Sequence, residues 1–264
     1  MDEGRHPVSD APEVRGGPDP LPDRRSDGVP GRVSVVVPTY REVENIPLLV
    51  PRVDGVFRAA ALEGEVLIVD DDSRDGTVEV VDAMVRRGLP VRLIVRKDER
   101  GLSTAVLRGF DESSGEFLVC MDADLSHPPE VIPRMIEMLR DGQAEFVIGS
   151  RYCPGGSTDA AWGLFRWLNS RVAMMLAWPL VRLYDPMAGF FALPRQVYRR
   201  GARMNPIGYK IALELIVKCR CRRIREVPIH FADRRLGRSK LNLREQINYL
   251  RHLRRLYAHR LSGG

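Results

Sequence analysis

The chain has 264 residues, of which 44% are hydrophobic and 29% charged, which suits one large domain, or a domain and a half, with a sizeable core. The four cysteines lack the spacing of a disulfide framework or a zinc site, and a single residue separates Cys219 from Cys221. We therefore expect reduced thiols, as in a cytosolic protein. The first residues do not form the apolar core of a secretory signal, and we expect none.

The formal net charge of +6 is unevenly distributed, because residues 195–264 contain 19 Lys or Arg against four acidic residues. Such a segment suits an anionic partner, for example phosphate groups, a membrane surface or nucleic acid. A solvated basic face is the commoner meaning of a charge run, and composition leaves both interpretations open. The longest apolar run, residues 172–181, has ten residues, whereas a spanning helix needs about 20. The sequence therefore predicts no bilayer-spanning segment.

In chain order, the first segment is a tail that is rich in Pro, Gly, Asp and Arg and has no periodicity, which predicts disorder. This tail covers residues 1–31. Strands are then predicted at residues 32–38, 65–71, 91–95, 116–121 and 145–150, and helices at residues 45–62, 75–87, 102–113 and 130–139. Asn45 suits the N-cap of the first helix, and Pro47 suits its first turn. Strands alternating with helices of this length indicate βαβ units and a mostly parallel sheet.

Polar motifs follow three of the predicted strands. Pro38-Thr39-Tyr40 ends the first strand, residues 70–72 are three consecutive aspartates, and residues 122–124 read Asp-Ala-Asp. Ligands of open α/β sheets bind outside the carboxyl ends of the strands. We therefore expect the three motifs to line one edge of the sheet.

The residues at this edge indicate a divalent cation. The sequence has neither the glycine-rich dinucleotide fingerprint nor a P-loop. Carboxylate oxygens suit Mg²⁺ or Mn²⁺, and Mg²⁺ typically joins one or two carboxylates to substrate phosphates. An isolated Asp-x-Asp is more often two solvated acids in a loop, but its place after the fourth strand favours a metal site. Asp122 and Asp124 are therefore predicted to hold Mg²⁺ or Mn²⁺ that carries a diphosphate.

Seven motifs occur along the chain in an order typical of one enzyme family. They are VVVPTYREVENI, VLIVDDDSRDGT, GLSTAVLRGF, MDADLSHPPE, VIGSRYCPGG, DPMAGFFALP and GRSKL. Over residues 32–260 the chain resembles the dolichol-phosphate (polyprenol-phosphate) mannosyltransferases of the family 2 glycosyltransferases. The resemblance implies an α/β, Rossmann-like GT-A domain at residues 32–240, with a mostly parallel sheet flanked by helices, and a basic amphipathic C-terminal helix at residues 241–264. It also implies transfer of mannose from GDP-mannose to a polyprenyl monophosphate, with a divalent metal and inversion at the sugar carbon.

The resemblance also implies roles for individual residues on the donor side. The nucleoside would be bound by Pro38, Tyr40, Glu42 and Asp71. The metal and the diphosphate would be bound by Asp122, Ala123, Asp124 and Ser126, where several relatives have Gln in place of Ser126. Arg234 and Lys240 are similar to basic residues that close over the donor phosphates.

The predicted acceptor is already anionic at neutral pH, so its transfer reaction needs no general base of the kind that activates an alcohol. It needs cations that hold the acceptor phosphate, and Arg151, together with Arg166 and Ser170, is predicted to supply this site. Arg166 and Ser170 are four residues apart and so share one face of a helix. A surface charge explains Arg166 about equally well by pattern, and the resemblance favours acceptor binding. Asp122, Asp124 and Arg151 are thus the predicted catalytic residues, with the metal acting as a Lewis acid on the departing GDP.

Two segments are candidates for contact with a membrane. Residues 160–178 are rich in Trp, Phe and Leu, and this segment suits either a core helix or the bilayer interface. Residues 241–261 form an amphipathic pattern with Leu and Ile on one stripe and Arg on another, which suits anionic lipid headgroups or a partner helix. The predicted location is therefore cytoplasmic, at the cytoplasmic face of a membrane. The resemblance adds a small transmembrane partner subunit as an alternative anchor.

Two other functions compete with this interpretation. A polyprenyl-phosphate glucosyltransferase, or another family 2 enzyme that uses a UDP-sugar, would share the same motifs. A nucleic-acid-binding protein would rest on the basic C-terminal part alone, without a recognisable nucleic-acid motif. We therefore expect no nucleic-acid partner.

Overall fold

The computed structural model describes residues 28–159, 174–201, 204–208, 210–232 and 243–262. The predicted disordered tail lies outside the described residues up to position 27. Within the described ranges the chain forms one seven-stranded sheet with helices on both faces, and a separate two-stranded sheet.

The first half of the chain alternates strands and helices as predicted. The strands are β1 (Val29–Thr39), β2 (Gly64–Asp70), β3 (Val91–Val95), β4 (Gly115–Cys120) and β5 (Phe146–Ser150). The helices are α1 (Ile46–Ala59), α2 (Thr77–Arg86), α3 (Leu102–Glu112) and α4 (Ile132–Arg140), and a 3₁₀ turn (Pro129–Val131) precedes α4. All five predicted strands and all four predicted helices are confirmed. β1 begins three residues before its predicted start, so the disorder predicted for residues 29–31 was wrong: the Val29 N–H donates to the Ser114 carbonyl at 2.7 Å and joins this segment to the sheet.

Helix α1 shows how the sequence sets these elements. Asn45 is its N-cap and Pro47 lies in its first turn, as predicted. Its buried side chains are Ile46, Leu49, Val50, Val53 and Phe57, a spacing of three or four residues that keeps one face apolar. The Asn45 side chain makes no capping hydrogen bond to the helix, and its amide donates to Glu42 Oε2 at 2.6 Å.

The second half adds further elements, of which the sequence predicted only the last helix. The strands are β6 (Ser157–Thr158), β7 (Phe191–Pro194), β8 (Ile224–Pro228) and β9 (His230–Phe231), and the helices are α5 (Arg195–Arg199), α6 (Ile211–Lys218) and α7 (Leu243–Leu261). The strand order of the large sheet is β3-β2-β1-β4-β7-β5-β8, and β6 pairs with β9. β7 runs antiparallel to both β4 and β5, whereas the other pairs are parallel. The sheet is therefore mostly parallel, as predicted, with one antiparallel strand in its middle.

The core consists of two apolar layers, one on each face of the sheet. Along β1, Val35 and Val37 point into one layer and Val36 into the other, since successive side chains of a strand alternate between faces. The first layer is covered by α1, α2 and α4. The second is covered by α3, α6 and α7.

Helix α7 is the predicted C-terminal amphipathic helix, and the structure describes it from Leu243 onwards. It packs against the second layer through Tyr249, Leu253 and Leu256, and its His252 Nε2 donates a 3.0 Å hydrogen bond to the carboxylate of the buried Glu214 of α6. Within the described residues, every helix is too short or too polar to cross a membrane.

Candidate active site

The three polar motifs meet at one edge of the sheet, as predicted. β1 pairs with β2 so that Thr39 lies opposite Asp70, and with β4 so that Val36 lies opposite Cys120. The loops that follow these strands therefore lie side by side. The Asp71 N–H donates to the Thr39 carbonyl at 3.1 Å, which joins the first two motifs directly.

The turn after β4 presents the two aspartates differently. Asp124 is 5% exposed, and its Oδ1 accepts hydrogen bonds from the Ser126 N–H at 3.1 Å and from the Ser126 hydroxyl. The Asp122 side chain is 27% exposed. Leu125, between Asp124 and Ser126, has a φ of 63°, a left-handed conformation that makes the turn tight. Ser126 therefore supports Asp124, while Asp122 faces the open side.

These residues fit an oxygen-bound cation shared with a phosphate ligand. No group of three or more His, Cys, Asp or Glu side chains capable of holding a metal occurs in the part of the chain that the structure describes. Mg²⁺ commonly takes one or two protein carboxylates and completes its shell with water and substrate phosphates. Gly189 leaves space beside Asp122, because a Cβ on Gly189 would lie 3.5 Å from both carboxylate oxygens. The paired aspartates thus fit a cation whose remaining ligands come from a diphosphate.

Arg151, at the end of β5, is held by a buried carboxylate. The Arg151 side chain donates from Nε and from one Nη to the two oxygens of Asp185, at 2.7 and 2.9 Å. The backbone N–H of Arg151 also donates to Asp185 Oδ2, at 3.2 Å. Asp185 is 1% exposed, and its own N–H donates to Glu226 Oε1 at 2.9 Å. Burial acts to lower the pKa of Arg151, but the hydrogen bonds and charge of Asp185, with a contribution from Asp122, raise it above its usual value. Arg151 is therefore a fixed positive charge close to the aspartate turn.

Aromatic rings also hold Arg151 in place. Its guanidinium lies 5.2 Å from the centroid of the Tyr152 ring and 5.1 Å from that of the Phe231 ring. The Phe231 ring also contacts His127, at 5.5 Å between centroids. Phe231 thus links Arg151 to the turn that carries the aspartates.

The predicted nucleoside residues lie on the neighbouring strands. Tyr40 is 45% exposed, and its ring centroid lies 5.3 Å from the Arg41 guanidinium and 5.4 Å from that of Arg100. Asp71 accepts hydrogen bonds from Arg96 Nε at 2.8 Å and from the Gly101 N–H at 2.7 Å. Tyr40 and Asp71 therefore both contact the loop between β3 and α3.

The other predicted site residues are partly buried, paired with other side chains or outside the described residues. Pro38 lies in β1 and is half-buried, and Glu42 accepts the Asn45 amide hydrogen bond. Ala123 is buried between the two aspartates. Arg166, Ser170, Arg234 and Lys240 lie outside the described residues.

Four residues of this site were missed by sequence reasoning. They are His127, Asp185, Glu226 and Phe231. His127 and Asp185 lie in the motifs MDADLSHPPE and DPMAGFFALP, so a signal was present for them, but their contacts could not be deduced. Glu226 and Phe231 carry no such signal.

A mostly parallel α/β sheet with one antiparallel strand and an Asp-x-Asp turn at its carboxyl edge defines a glycosyltransferase of the GT-A class. The family model described as glycosyl transferase family 2 matches residues 34–201. The chain belongs to glycosyltransferase family 2.

Curated relatives agree with this assignment. The chain is 46% identical to the dolichol-phosphate mannosyltransferase of Saccharomyces cerevisiae, over 85% of this chain and 86% of the yeast protein. It is 45% identical to the dolichol-phosphate mannosyltransferase of Mycosarcoma maydis, over 86% of this chain and 79% of that protein. Among solved structures, glucosyl-3-phosphoglycerate synthase from Mycobacterium tuberculosis, in complex with Mn²⁺, uridine diphosphate and phosphoglyceric acid, aligns with a TM-score of 0.62 and 18% identity. That alignment covers 88% of this chain and 78% of the synthase and shows that the two share a fold.

Proposed function

We propose that the protein transfers mannose from GDP-mannose to the phosphate of a polyprenyl, dolichyl-type monophosphate, with inversion at the sugar carbon. The observation that carries the proposal is the pairing of opposite charges at one sheet edge. Asp122 and Asp124 offer a cation site for the donor diphosphate, and Arg151 beside them offers a positive charge for a second phosphate. The 46% identity to a yeast protein named dolichol-phosphate mannosyltransferase supports mannose as the sugar and a dolichyl phosphate as the acceptor.

On the donor side, the exposed Tyr40 ring offers a surface on which the base can stack, with Pro38 and Glu42 next to it. Asp71 accepts hydrogen bonds from the Gly101 N–H and from Arg96. These bonds fix the loop that carries Arg100. Arg234 and Lys240 are proposed to close over the diphosphate. A base held at β1 and β2 leaves the sugar pointing towards β4, where the aspartates lie.

On the metal side, Asp122 and Asp124 would hold Mg²⁺ or Mn²⁺, with Ser126 fixing Asp124. Bound there, the cation would stabilise the negative charge of the departing GDP as a Lewis acid. The synthase from Mycobacterium tuberculosis, which contains Mn²⁺ and a nucleoside diphosphate, supports a divalent cation in this fold.

The acceptor reacts through an oxygen of its own phosphate. This oxygen forms a bond to the anomeric carbon of mannose, while the bond from that carbon to the diphosphate oxygen breaks and GDP keeps the electron pair. No proton has to be removed, because the attacking phosphate is already an anion at neutral pH. Arg151 holds this anion, with Arg166 and Ser170 as further proposed contacts, and Asp185 keeps the guanidinium oriented. Positioning of two anionic groups therefore replaces general-base catalysis.

We also propose that the protein works at the cytoplasmic face of a membrane without spanning it. Side chains of α7 bind the segment at 176–180: Tyr257 donates to the Leu176 carbonyl at 2.8 Å and Arg260 to the Leu180 carbonyl at 2.7 Å. The described end of the first predicted membrane segment thus contacts the second, and we propose that the two form one surface. Its exposed apolar side chains are Met175, Leu176, Trp178, Ile247 and Leu250, interspersed with exposed arginines of α7. Such a surface suits anionic lipid headgroups, and a small transmembrane partner subunit is the alternative occupant.

A comparison of two labelled sugar donors tests the proposed activity. The purified protein is incubated with polyprenyl phosphate and either labelled GDP-mannose or labelled UDP-glucose, with Mg²⁺ or Mn²⁺. We expect lipid-extractable label from GDP-mannose. Label from UDP-glucose alone would instead assign the protein as a polyprenyl-phosphate glucosyltransferase, and label from neither donor would contradict transferase activity towards this acceptor.

A further inference from the structure

His127 is a buried imidazole in the aspartate turn to which the proposed mechanism gives no role. It is 3% exposed, and its Nδ1 accepts a hydrogen bond from the Asp122 N–H at 3.0 Å. Since a backbone N–H only donates, Nδ1 must carry no proton, and the proton of the neutral ring lies on Nε2.

Two aromatic residues fix the orientation of this ring. Phe190 stacks on it, with 5.2 Å between centroids and 19° between the planes. Phe231 meets it at 5.5 Å and 64°. The ring therefore has little freedom to turn away from Asp122, and its Nε2 lies 3.9 Å from Asp122 Oδ2. This distance is too long for a hydrogen bond, so the contact that holds Asp122 is the hydrogen bond from its N–H to Nδ1.

The two aspartates of the turn are thus oriented by different means. Asp124 is held through its side chain, by the N–H and hydroxyl of Ser126. Asp122 is held through its main chain, by the ring of His127, and Gly189 lies beside both the Asp122 carboxylate and that ring. The Asp122 side chain is 27% exposed, so its main chain is fixed while its carboxylate stays accessible to a cation.

We infer that His127 is a positioning residue of the metal site: its neutral ring fixes the main chain at Asp122 and thereby directs the Asp122 carboxylate towards the cation. The inference rests on the proposed function, because it requires Asp122 to bind that cation. Groups that orient a metal ligand typically change metal affinity by about 10–100-fold when they are removed.

Two substitutions separate the acceptor atom from the ring. His127→Phe keeps an aromatic ring between Phe190 and Phe231 but removes the hydrogen-bond acceptor. His127→Asn keeps an acceptor oxygen near the position of Nδ1 but removes the ring. The full-length protein is titrated with Mn²⁺ alone, followed by water-proton relaxation. We expect His127→Phe to weaken Mn²⁺ binding about 10–100-fold and His127→Asn to restore most of the affinity.

The thermal unfolding midpoint of each variant without metal shows whether a loss is merely structural. Wild-type Mn²⁺ affinity in His127→Phe would overturn the inference, and so would an equal loss in both variants, which would make the ring and not the acceptor important. Asp122→Asn is titrated in parallel. If it binds Mn²⁺ as tightly as the wild type, the proposed metal site itself fails; if only His127→Phe behaves as wild type, the failure is confined to His127.

A second measurement reports the protonation of the His127 ring in the wild-type protein itself. In ¹⁵N-histidine NMR spectra, the wild-type resonances that are missing from His127→Asn belong to His127. We expect them to report a neutral ring protonated on Nε2, with a hydrogen-bonded Nδ1. A ring protonated on Nδ1 would contradict the inference.

Discussion

Asp122 and Asp124 stand one residue apart, and two carboxylates this close favour a cation between them. We expect Asp122→Asn or Asp124→Asn to lower the transfer rate by at least about 100-fold, since each removes charge that would stabilise the departing diphosphate. Both residues lie in a turn at the sheet edge, so the unfolding temperature should change little. Asp82→Asn, an exposed aspartate of α2, is the matched control. Full activity of either site variant in excess EDTA would refute the metal assignment.

Arg151 tests the acceptor side of the site. Lys keeps the charge of Arg but cannot reproduce its planar fork, which here binds both oxygens of Asp185. We expect Arg151→Lys to raise the KM for polyprenyl phosphate by about tenfold or more while leaving the KM for GDP-mannose near its wild-type value. The exposed Arg134, changed to Lys, serves as control. An unchanged acceptor KM would place the acceptor phosphate elsewhere.

At the residue scale, the sequence predicted positions better than contacts. The ends of predicted strands were enough to bring Asp71, Asp122 and Arg151 to one edge. The residues that orient them were missed because their partners are distant in the chain: Asp185 lies 34 residues from Arg151, and Glu226 lies 41 residues from Asp185. Such pairs form only when strands that are not consecutive become neighbours in the sheet.

At the element scale, β7 is the main feature that sequence reasoning missed. It has four residues, and its antiparallel direction breaks the βαβ pattern on which the prediction rested. Its insertion between β4 and β5 has a direct effect on the site. Gly189 and Phe190, immediately before β7, form the wall beside Asp122 and His127. The motif DPMAGFFALP, which in the sequence only supported the family resemblance, thus forms one wall of the candidate active site.

Glu145 shows how the later strands are fixed to the earlier ones. Just before β5, it accepts the Arg222 N–H at 2.9 Å and Arg200 Nη1 at 2.8 Å. The Arg222 N–H is the largest influence that lowers the pKa of Glu145 from its usual 4.5 to about 2. Because the folded-state pKa is depressed, the stability that Glu145 contributes is present above pH 4.5 and is lost as the pH falls through about 2.

Glu145→Gln should therefore destabilise the fold at pH 7 by about 1 kcal/mol, since solvent screens these exposed contacts, and the difference from the wild type should shrink between pH 4.5 and pH 2. Urea unfolding at several pH values measures this. The exposed Glu137, changed to Gln, should have a small effect that does not follow the same window. A destabilisation by Glu145→Gln that is independent of pH would show that the carboxylate charge is not what joins these segments.

At the scale of the whole molecule, one face carries the features suited to a membrane. Helix α7 lies on the layer opposite α2 and α4, and its exposed residues include Arg251, Arg254 and Arg255. Each basic residue near an anionic lipid surface contributes about 1 kcal/mol. Replacing the three arginines by Gln should therefore weaken liposome binding and lower transfer to full-length polyprenyl phosphate, while transfer to a short, water-soluble prenyl phosphate is largely spared.

Flotation with anionic liposomes at low and high salt measures this binding. The control replaces three exposed arginines of the opposite layer, Arg86, Arg87 and Arg140, by Gln and so removes the same charge from the other face. If both triple substitutions weaken liposome binding equally, the binding depends on the net charge of the protein and not on α7. If the wild-type protein does not bind the vesicles at any ionic strength, α7 is not a lipid anchor. We would then assign α7 to docking on a transmembrane partner.

The central claim is that a preformed phosphate attacks the sugar of a nucleotide donor at the Asp122–Arg151 edge. The most direct measurement follows polyprenyl phosphate, GDP-mannose and the purified protein by ³¹P NMR. The account predicts that the phosphomonoester signal of the lipid is replaced by a phosphodiester signal, with one GDP released for each phosphodiester formed. Release of GDP with an unchanged phosphomonoester signal would contradict it, because the enzyme would then be hydrolysing its donor without transferring mannose to the lipid phosphate.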